Sequence, residues 1–277
     1  MERMTMLLPN FIQFETNTIC NQHCVFCPHD QMKQREQASN ELISKIIREC
    51  APTATNMCPF LMQDPLLEPR LREILMEIKR TNWRTETTIY TSMHNANMIE
   101  LKKIVDDGTL DYMMISLYGH KYQPGLKEDS TKKKLNELIR YRNSTCRRKP
   151  IITMQWISGL EGKELVDAYN GIANGIQIVP YDTFHGAITT QRNRQRGPNT
   201  SRAPCARLWN SLNIHSNGNV VPCCIDFNEE IVLGNAKNTP LIEIWNSDKF
   251  NELREMHMQK RFDEIPLCKN CIVWEWL

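Results

Sequence analysis

The chain has 277 residues, 34 basic against 32 acidic, and 41% of it is hydrophobic. At that length a core can be buried without disulfides, the balanced charge implies no nucleic-acid partner, and no run approaches the roughly 18 apolar residues of a membrane span. The N-terminal stretch has no cleavage-site pattern, so a cytoplasmic protein is expected, and 11 cysteines then point to metal ligation or redox chemistry.

Strand-like and helix-like stretches alternate as far as Asp182. Residues 11–16 alternate in polarity and run as a strand into a cysteine-rich loop. Residues 41–50 have helical spacing at Leu42, Ile43, Ile46 and Ile47, with Ser39 or Asn40 as N-cap. Residues 57–62 read as a buried strand and 70–80 as an amphipathic helix with Leu71, Ile74, Leu75 and Ile78 on one face. There follow a strand at 87–91, a helix at 98–105, a strand at 112–117 and a helix at 131–142. The series ends with a strand at 151–157, a helix at 163–170 and a strand at 176–181. This alternation predicts an α/β fold with a parallel sheet. Six units are fewer than the eight of a closed barrel, and the reactive groups belong at the C-terminal strand ends. From Phe184 the pattern changes. Residues 185–204 are polar, include Arg192, Arg194 and Arg196, and read as a linker loop. Two short strands flank Asn217-Gly218, a hairpin signal, and residues 241–258 read as one helix.

The cysteines fall into groups. Cys20, Cys24 and Cys27 form a C-x3-C-x2-C array directly after the first strand, where parallel α/β folds place chemistry. Three thiolates on a short loop can hold three irons of a [4Fe–4S] cluster and leave the fourth open. A zinc site with His23 or His29 as fourth ligand is the competing reading. Cys205, Cys223, Cys268 and Cys271 form a second group that suits either another [4Fe–4S] cluster or a zinc ribbon. Cys50, Cys58, Cys146 and Cys224 are spare. Neighbours on a strand face opposite ways, so Cys224 is expected to point toward a substrate cavity rather than with Cys223.

The C-x3-C-x2-C array, with aromatic Phe26 before its third cysteine, resembles the radical S-adenosylmethionine (SAM) enzymes. The segment from Cys205 to Cys271 resembles their C-terminal auxiliary-cluster extension, SPASM in its long form and twitch in its one-cluster form. The matching residues are Cys205, Cys223, the run Leu241-Ile-Glu-Ile-Trp245 and Cys268-Lys-Asn-Cys271. The resemblance implies a partial (β/α)6 barrel over residues 1–184, the linker 185–204, and a β-hairpin-plus-helix auxiliary domain over 205–277. It implies two [4Fe–4S] clusters and SAM as cofactors, and reductive cleavage of SAM to a 5′-deoxyadenosyl radical that abstracts a substrate hydrogen.

The family's Gly-Gly-Glu-Pro turn corresponds to Met62-Gln63-Asp64-Pro65, without the glycines. The resemblance makes Phe26, Gln63, Asp64, Pro65, Ser116, Gln155 and Val179 SAM contacts, and makes Arg140 or Arg142 a partner for the SAM carboxylate. The expected reaction is two-electron oxidation of a hydroxylated small molecule of sugar or aminocyclitol type, with the auxiliary cluster accepting an electron. Tyr90 and Asp182 are candidates to orient or deprotonate that substrate. Epimerisation, with Cys58 or Cys224 as hydrogen donor, is the alternative, and peptide modification a third. The 19 residues before Cys20 offer no room for a peptide-recognition domain. The expected partners are the small-molecule substrate and an electron donor such as flavodoxin or ferredoxin.

Overall fold

The structure is a computed structural model that describes residues 6–188 and 202–273. Arg192, Arg194 and Arg196, and most of the linker expected at 185–204, lie outside the described residues. Six strands alternate with helices in the first part of the chain. They are β1 (Phe11–Phe14), β2 (Asn56–Cys58), β3 (Glu86–Thr91), β4 (Tyr112–Ser116), β5 (Ile151–Ile157) and β6 (Gly175–Val179). Between them run α1 (Asn40–Cys50), α2 (Leu71–Thr81), α3 (Met98–Asp107), α4 (Glu128–Ser144) and the single turn α5 (Glu164–Asp167). Neighbouring strands in this set pair in parallel. The sheet does not close: β6 is one of its edges.

Local chemistry sets these bounds. The Ser39 side chain accepts from Leu42 N (3.2 Å) and starts α1, which buries Leu42, Ile43, Ile46 and Ile47. Burying each such side chain contributes about 1.5–3 kcal/mol. The strand expected at 57–62 stops at Cys58, because Pro59 has no N–H to offer a ladder and the chain folds back with Phe60 N donating to Cys58 O (2.8 Å). The helix expected at 163–170 shortens to one turn, followed by Asn170-Gly171 with Gly171 at φ 76°.

The later segment joins the same sheet. After α6 (Arg207–Asn210), β7 (Ser211–Ile214) pairs in parallel with β1, Phe11 opposite Ser211. The hairpin forms as expected: β8 (Asn219–Val221) returns antiparallel to β7 through a turn with Gly218 at φ 90°. The edge strand β9 (Gly234–Asn235) follows. There a Cβ on Gly234 would sit 2.9 Å from Ile244, so glycine lets α7 (Leu241–Trp245) close onto the sheet. The single helix expected over 241–258 is two. Asn246 leaves the helix to exchange hydrogen bonds with the Met6 backbone (2.7 and 2.9 Å), and Ser247 caps α8 (Asp248–Met258). The short α9 (Pro266–Lys269) carries Cys268.

The two ends of the sheet differ in chemistry. At the N-terminal end, Asp111 is buried and accepts from Lys79 Nζ (2.5 Å), Lys149 Nζ (2.5 Å) and Thr87 N (2.9 Å). Burial alone would raise its pKa, but the hydrogen bonds from Lys149 and Lys79 prevail and lower it. That end stabilises the fold. Cys20, Cys24, Cys27 and Cys224 lie at the other.

Candidate functional site

At the C-terminal strand ends a cavity of about 550 Å³ opens, a volume in the usual range for small-molecule sites. Cys20, Cys24 and Cys27 line it from the loop after β1, and Gln63 and Asp64 from the turn after β2. Thr91 ends β3 and Ser92 follows it, while Ser116, Gln155 and Val179 stand on β4, β5 and β6. Arg207, Cys224, Ile225, Ile272 and Val273 bring the later segment into the same wall. A wider surface cleft of about 730 Å³ runs along α4 and α5, but no cysteine lines it.

The three-cysteine loop is pinned at both ends. Cys27 N donates to Cys24 O (3.0 Å), Val25 N donates to Tyr122 O (3.0 Å), and the Phe26 ring meets Tyr118 edge-on at 4.8 Å. Burial pushes the Cys27 thiol up to about 12 and raises Cys20 and Cys24 as well. Thiolates here therefore need a cationic centre to compensate them. Cys24 lies within electrostatic reach of both Cys27 and Cys20. Yet no three His, Cys, Asp or Glu side chains among the described residues converge as ligands of one ion. In a cubane cluster each thiolate takes a different iron. The histidines of the zinc reading are engaged elsewhere: His23 pairs with Asp30 (2.8 Å), and His29 Nε2 lies 2.9 Å from Thr18 O.

The turn after β2 replaces the missing glycines with side-chain bonds. Gln63 donates to Thr16 Oγ1 (2.8 Å) and accepts from Leu61 N (3.0 Å). Asp64 accepts from Thr91 Oγ1 (2.8 Å), Ser92 Oγ (3.2 Å) and Leu66 N (3.1 Å), capping the 3-10 turn that begins at Pro65. Its carboxylate is thus spent on joining β2 to β3, and burial raises its pKa. Replacing Asp64 with alanine orphans those buried donors and is expected to cost about 2–3 kcal/mol in urea unfolding. Asp64→Asn, which keeps an acceptor, will cost less.

Ser116 Oγ (3.2 Å) and Tyr118 Oη (2.6 Å) both donate to Gln155 Oε1, which fixes the amide orientation at the cavity wall. Gln123 was not anticipated. It is buried, accepts from Tyr118 N (2.8 Å), donates to Ser116 O (2.8 Å) and lines the cavity; no motif marks it. Neither arginine proposed for the SAM carboxylate reaches the cavity. Arg140 is exposed on α4 beside Lys133 and Tyr141. Arg142 is buried at the opposite end of the sheet, donating to Pro150 O (3.0 Å) and Asn174 Oδ1. A helix in such a unit runs antiparallel to its strands, which carries the end of α4 away from the site. Arg140→Ala should accordingly leave SAM affinity and turnover unchanged within about twofold.

Among the proposed substrate groups, Tyr90 lines the cavity 5.4 Å from the Phe60 ring, and Asp182 lines it while accepting from Phe184 N (2.7 Å). Burial raises the Asp182 pKa. Cys58 is 1% exposed, points its thiol at Asn56 Oδ1 (3.3 Å) and is absent from the lining, so it is badly placed as a hydrogen donor. Cys224 does line the cavity, but it does not turn away from Cys223. Arg207 Nη1 donates to both sulfurs, at 3.3 Å for Cys223 and 3.2 Å for Cys224. The strand rule fails because β8 ends at Val221, before the pair. Accepting the Cys224 thiol's hydrogen bond, with Arg207 beside it, favours the thiolate of Cys223 despite burial. Arg207 was also missed, although a cation two residues after Cys205 was a legible signal.

Cys205, Cys223, Cys268 and Cys271 gather behind that wall, with Cys268 in electrostatic reach of the other three. Burial raises Cys268 and Cys205, and pushes Cys271 up to about 11. Four thiols with such spacing fit a second cluster with every iron ligated by protein.

Residues 205–272 match the SPASM iron-sulfur cluster-binding domain family. A curated S-adenosyl-L-methionine-dependent 2-deoxy-scyllo-inosamine dehydrogenase of Niallia circulans is 43% identical over 54 residues, 20% of this chain and 22% of that relative. The alignment thus spans about a fifth of the curated relative. A crystal structure of BtrN in complex with AdoMet and 2-DOIA superimposes with a TM-score of 0.68 at 18% identity, covering 96% of this chain and 93% of BtrN. Streptococcus suis SuiB bound to the precursor peptide SuiA gives 0.68 at 13% identity, over 90% of this chain and 67% of SuiB. Native anSMEcpe with bound AdoMet gives 0.65 at 13% identity, over 94% and 88% of the two chains. The chain therefore shares the fold of these structures and matches the SPASM family over its C-terminal segment.

Proposed function

We propose that this chain is a radical SAM dehydrogenase that oxidises a hydroxylated small molecule of the aminocyclitol class. One observation carries the reading. A single cavity is lined by the C-x3-C-x2-C cysteines and by the residues that flank the auxiliary cysteines. The dehydrogenase named for the Niallia circulans relative, and the AdoMet and 2-DOIA held by BtrN, support the substrate class.

Cys20, Cys24 and Cys27 would hold the SAM-binding cluster, and Cys205, Cys223, Cys268 and Cys271 the auxiliary one. When bound, these groups supply hydrogen-atom abstraction from a carbinol carbon and a sink for the remaining electron. The chain's own residues do the rest. Ser116, Tyr118 and Gln155 form a hydrogen-bonded wall for the ribose and adenine of SAM. The Asp64 turn ties the end of β2 to the end of β3 at the cavity where SAM would bind. Asp182, raised toward neutrality by burial, takes the hydroxyl proton. Arg207 stands between cavity and auxiliary cysteines, where its charge favours an electron arriving on that side. Hydrogen atom, proton and electron together make a two-electron oxidation to a carbonyl.

No helix among the described residues is long and apolar enough to cross a membrane. A cytoplasmic location and a flavodoxin- or ferredoxin-type electron donor belong to this reading. Its test is anaerobic turnover of 2-deoxy-scyllo-inosamine in heavy water by the reconstituted chain. The reading expects 5′-deoxyadenosine and a product lighter by two hydrogens. Recovery of the amine at unchanged oxidation state with deuterium on carbon would instead favour epimerisation through Cys224.

A further inference from the structure

His257 is 1% exposed near the end of α8. Its Nδ1 lies 3.2 Å from Cys205 N, and its Nε2 lies 3.4 Å from Cys268 Sγ. A backbone N–H can only donate, so Nδ1 must be the acceptor and carry no proton. The single proton of the neutral ring is then on Nε2, aimed at the Cys268 sulfur. The ring is held in that orientation by Phe262, which meets it edge-on at 5.0 Å, and Phe262 is itself covered by Arg202 at 4.2 Å. Arg202 closes the arrangement by donating to Cys268 O (2.9 Å). One imidazole thus ties together the first and third cysteines of the auxiliary group, which lie on segments 63 residues apart.

We propose that His257 is a tuning residue for the auxiliary cluster, donating Nε2–H to the Cys268 thiolate and so raising the cluster's reduction potential. A hydrogen bond to a cluster sulfur withdraws negative charge from the core and stabilises the reduced state, one of the main means by which proteins set such potentials. Together with Arg207 Nη1 on Cys223 Sγ (3.3 Å), it gives the auxiliary cluster donors on two of its four ligands. That is the environment an electron acceptor needs. The inference rests on the auxiliary [4Fe–4S] cluster of the proposed function.

The test is an EPR-monitored redox titration of the full chain carrying Cys20→Ala, Cys24→Ala and Cys27→Ala, so that only the auxiliary cluster reports. Adding His257→Phe is expected to shift the midpoint to lower potential, and His257→Gln, whose amide can donate in place of the ring, to return it most of the way. An unchanged midpoint in His257→Phe with its iron retained overturns the proposal and leaves the proposed function standing. Zinc in place of iron in the titrated background overturns the auxiliary-cluster reading itself, and metal analysis detects this before any titration. If His257→Phe fails to hold iron, the wild-type chain labelled with 15N-histidine decides. A histidine-nitrogen coupling to the reduced auxiliary cluster supports the hydrogen bond, and its absence overturns it. Among the described residues His257 is the histidine within hydrogen-bond distance of a cysteine sulfur in that group.

Discussion

Cys24→Ala will abolish formation of 5′-deoxyadenosine and lower the iron content of the anaerobically reconstituted chain from about eight to about four per molecule. The loss should be complete because the other cysteines cannot substitute. Cys58 is buried with its thiol turned to Asn56, and Cys50 is sealed in the core as the last residue of α1. The proposed function assigns the retained irons to Cys205, Cys223, Cys268 and Cys271, none of which is on the loop. Cys24 and Gln123 both line the cavity. Circular dichroism of the variant should nevertheless be native, since the loop contributes little buried apolar surface. Iron counting and product chromatography check the result together.

Asp182→Asn is expected to lower formation of the oxidised product by about 10²-fold or more, the usual size of a general-base effect. SAM cleavage will persist and become uncoupled from product. The sign of the pH effect follows from the direction of the shift. Burial raises the Asp182 pKa, and Cys223 acts in the same sense. The hydrogen bond from Phe184 N, and after it Arg207 and His185, oppose them. In the proposed role Asp182 works as carboxylate, so product formation should fall as pH drops through that raised pKa. The fall will occur above the pH at which an ordinary exposed aspartate protonates, and Asp182→Asn will lack that acid limb. Initial rates across a pH series in both proteins measure it.

Much of this site was legible in the sequence because its signals are local. A C-x3-C-x2-C spacing survives any uncertainty about tertiary structure, as do the apolar stripe of α2 and the Asn217-Gly218 turn. What escaped depends on distant partners. The stretch 211–214 carries the marks of a hairpin strand, but nothing in it reports that its other edge pairs with β1, two hundred residues earlier. The opposition expected of Cys223 and Cys224 assumed a strand that in fact ends two residues sooner. Arg140 and Arg142 were offered as partners for the SAM carboxylate, yet the antiparallel course of α4 carries them to the wrong end of the sheet. His257 could not be singled out at all. Its contacts arise only once α8, Cys205 and α9 meet.

The central claim is that the substrate's second electron passes to the auxiliary cluster behind the Arg207 and Cys224 wall. The measurement that tests it most directly is a single turnover with the auxiliary cluster initially oxidised, freeze-quenched for EPR and analysed for products. The account predicts one 5′-deoxyadenosine for each carbonyl product, with the reduced auxiliary-cluster signal rising in step. Carbonyl product formed while that cluster stays oxidised, with no electron appearing on it at any time point, would contradict the account.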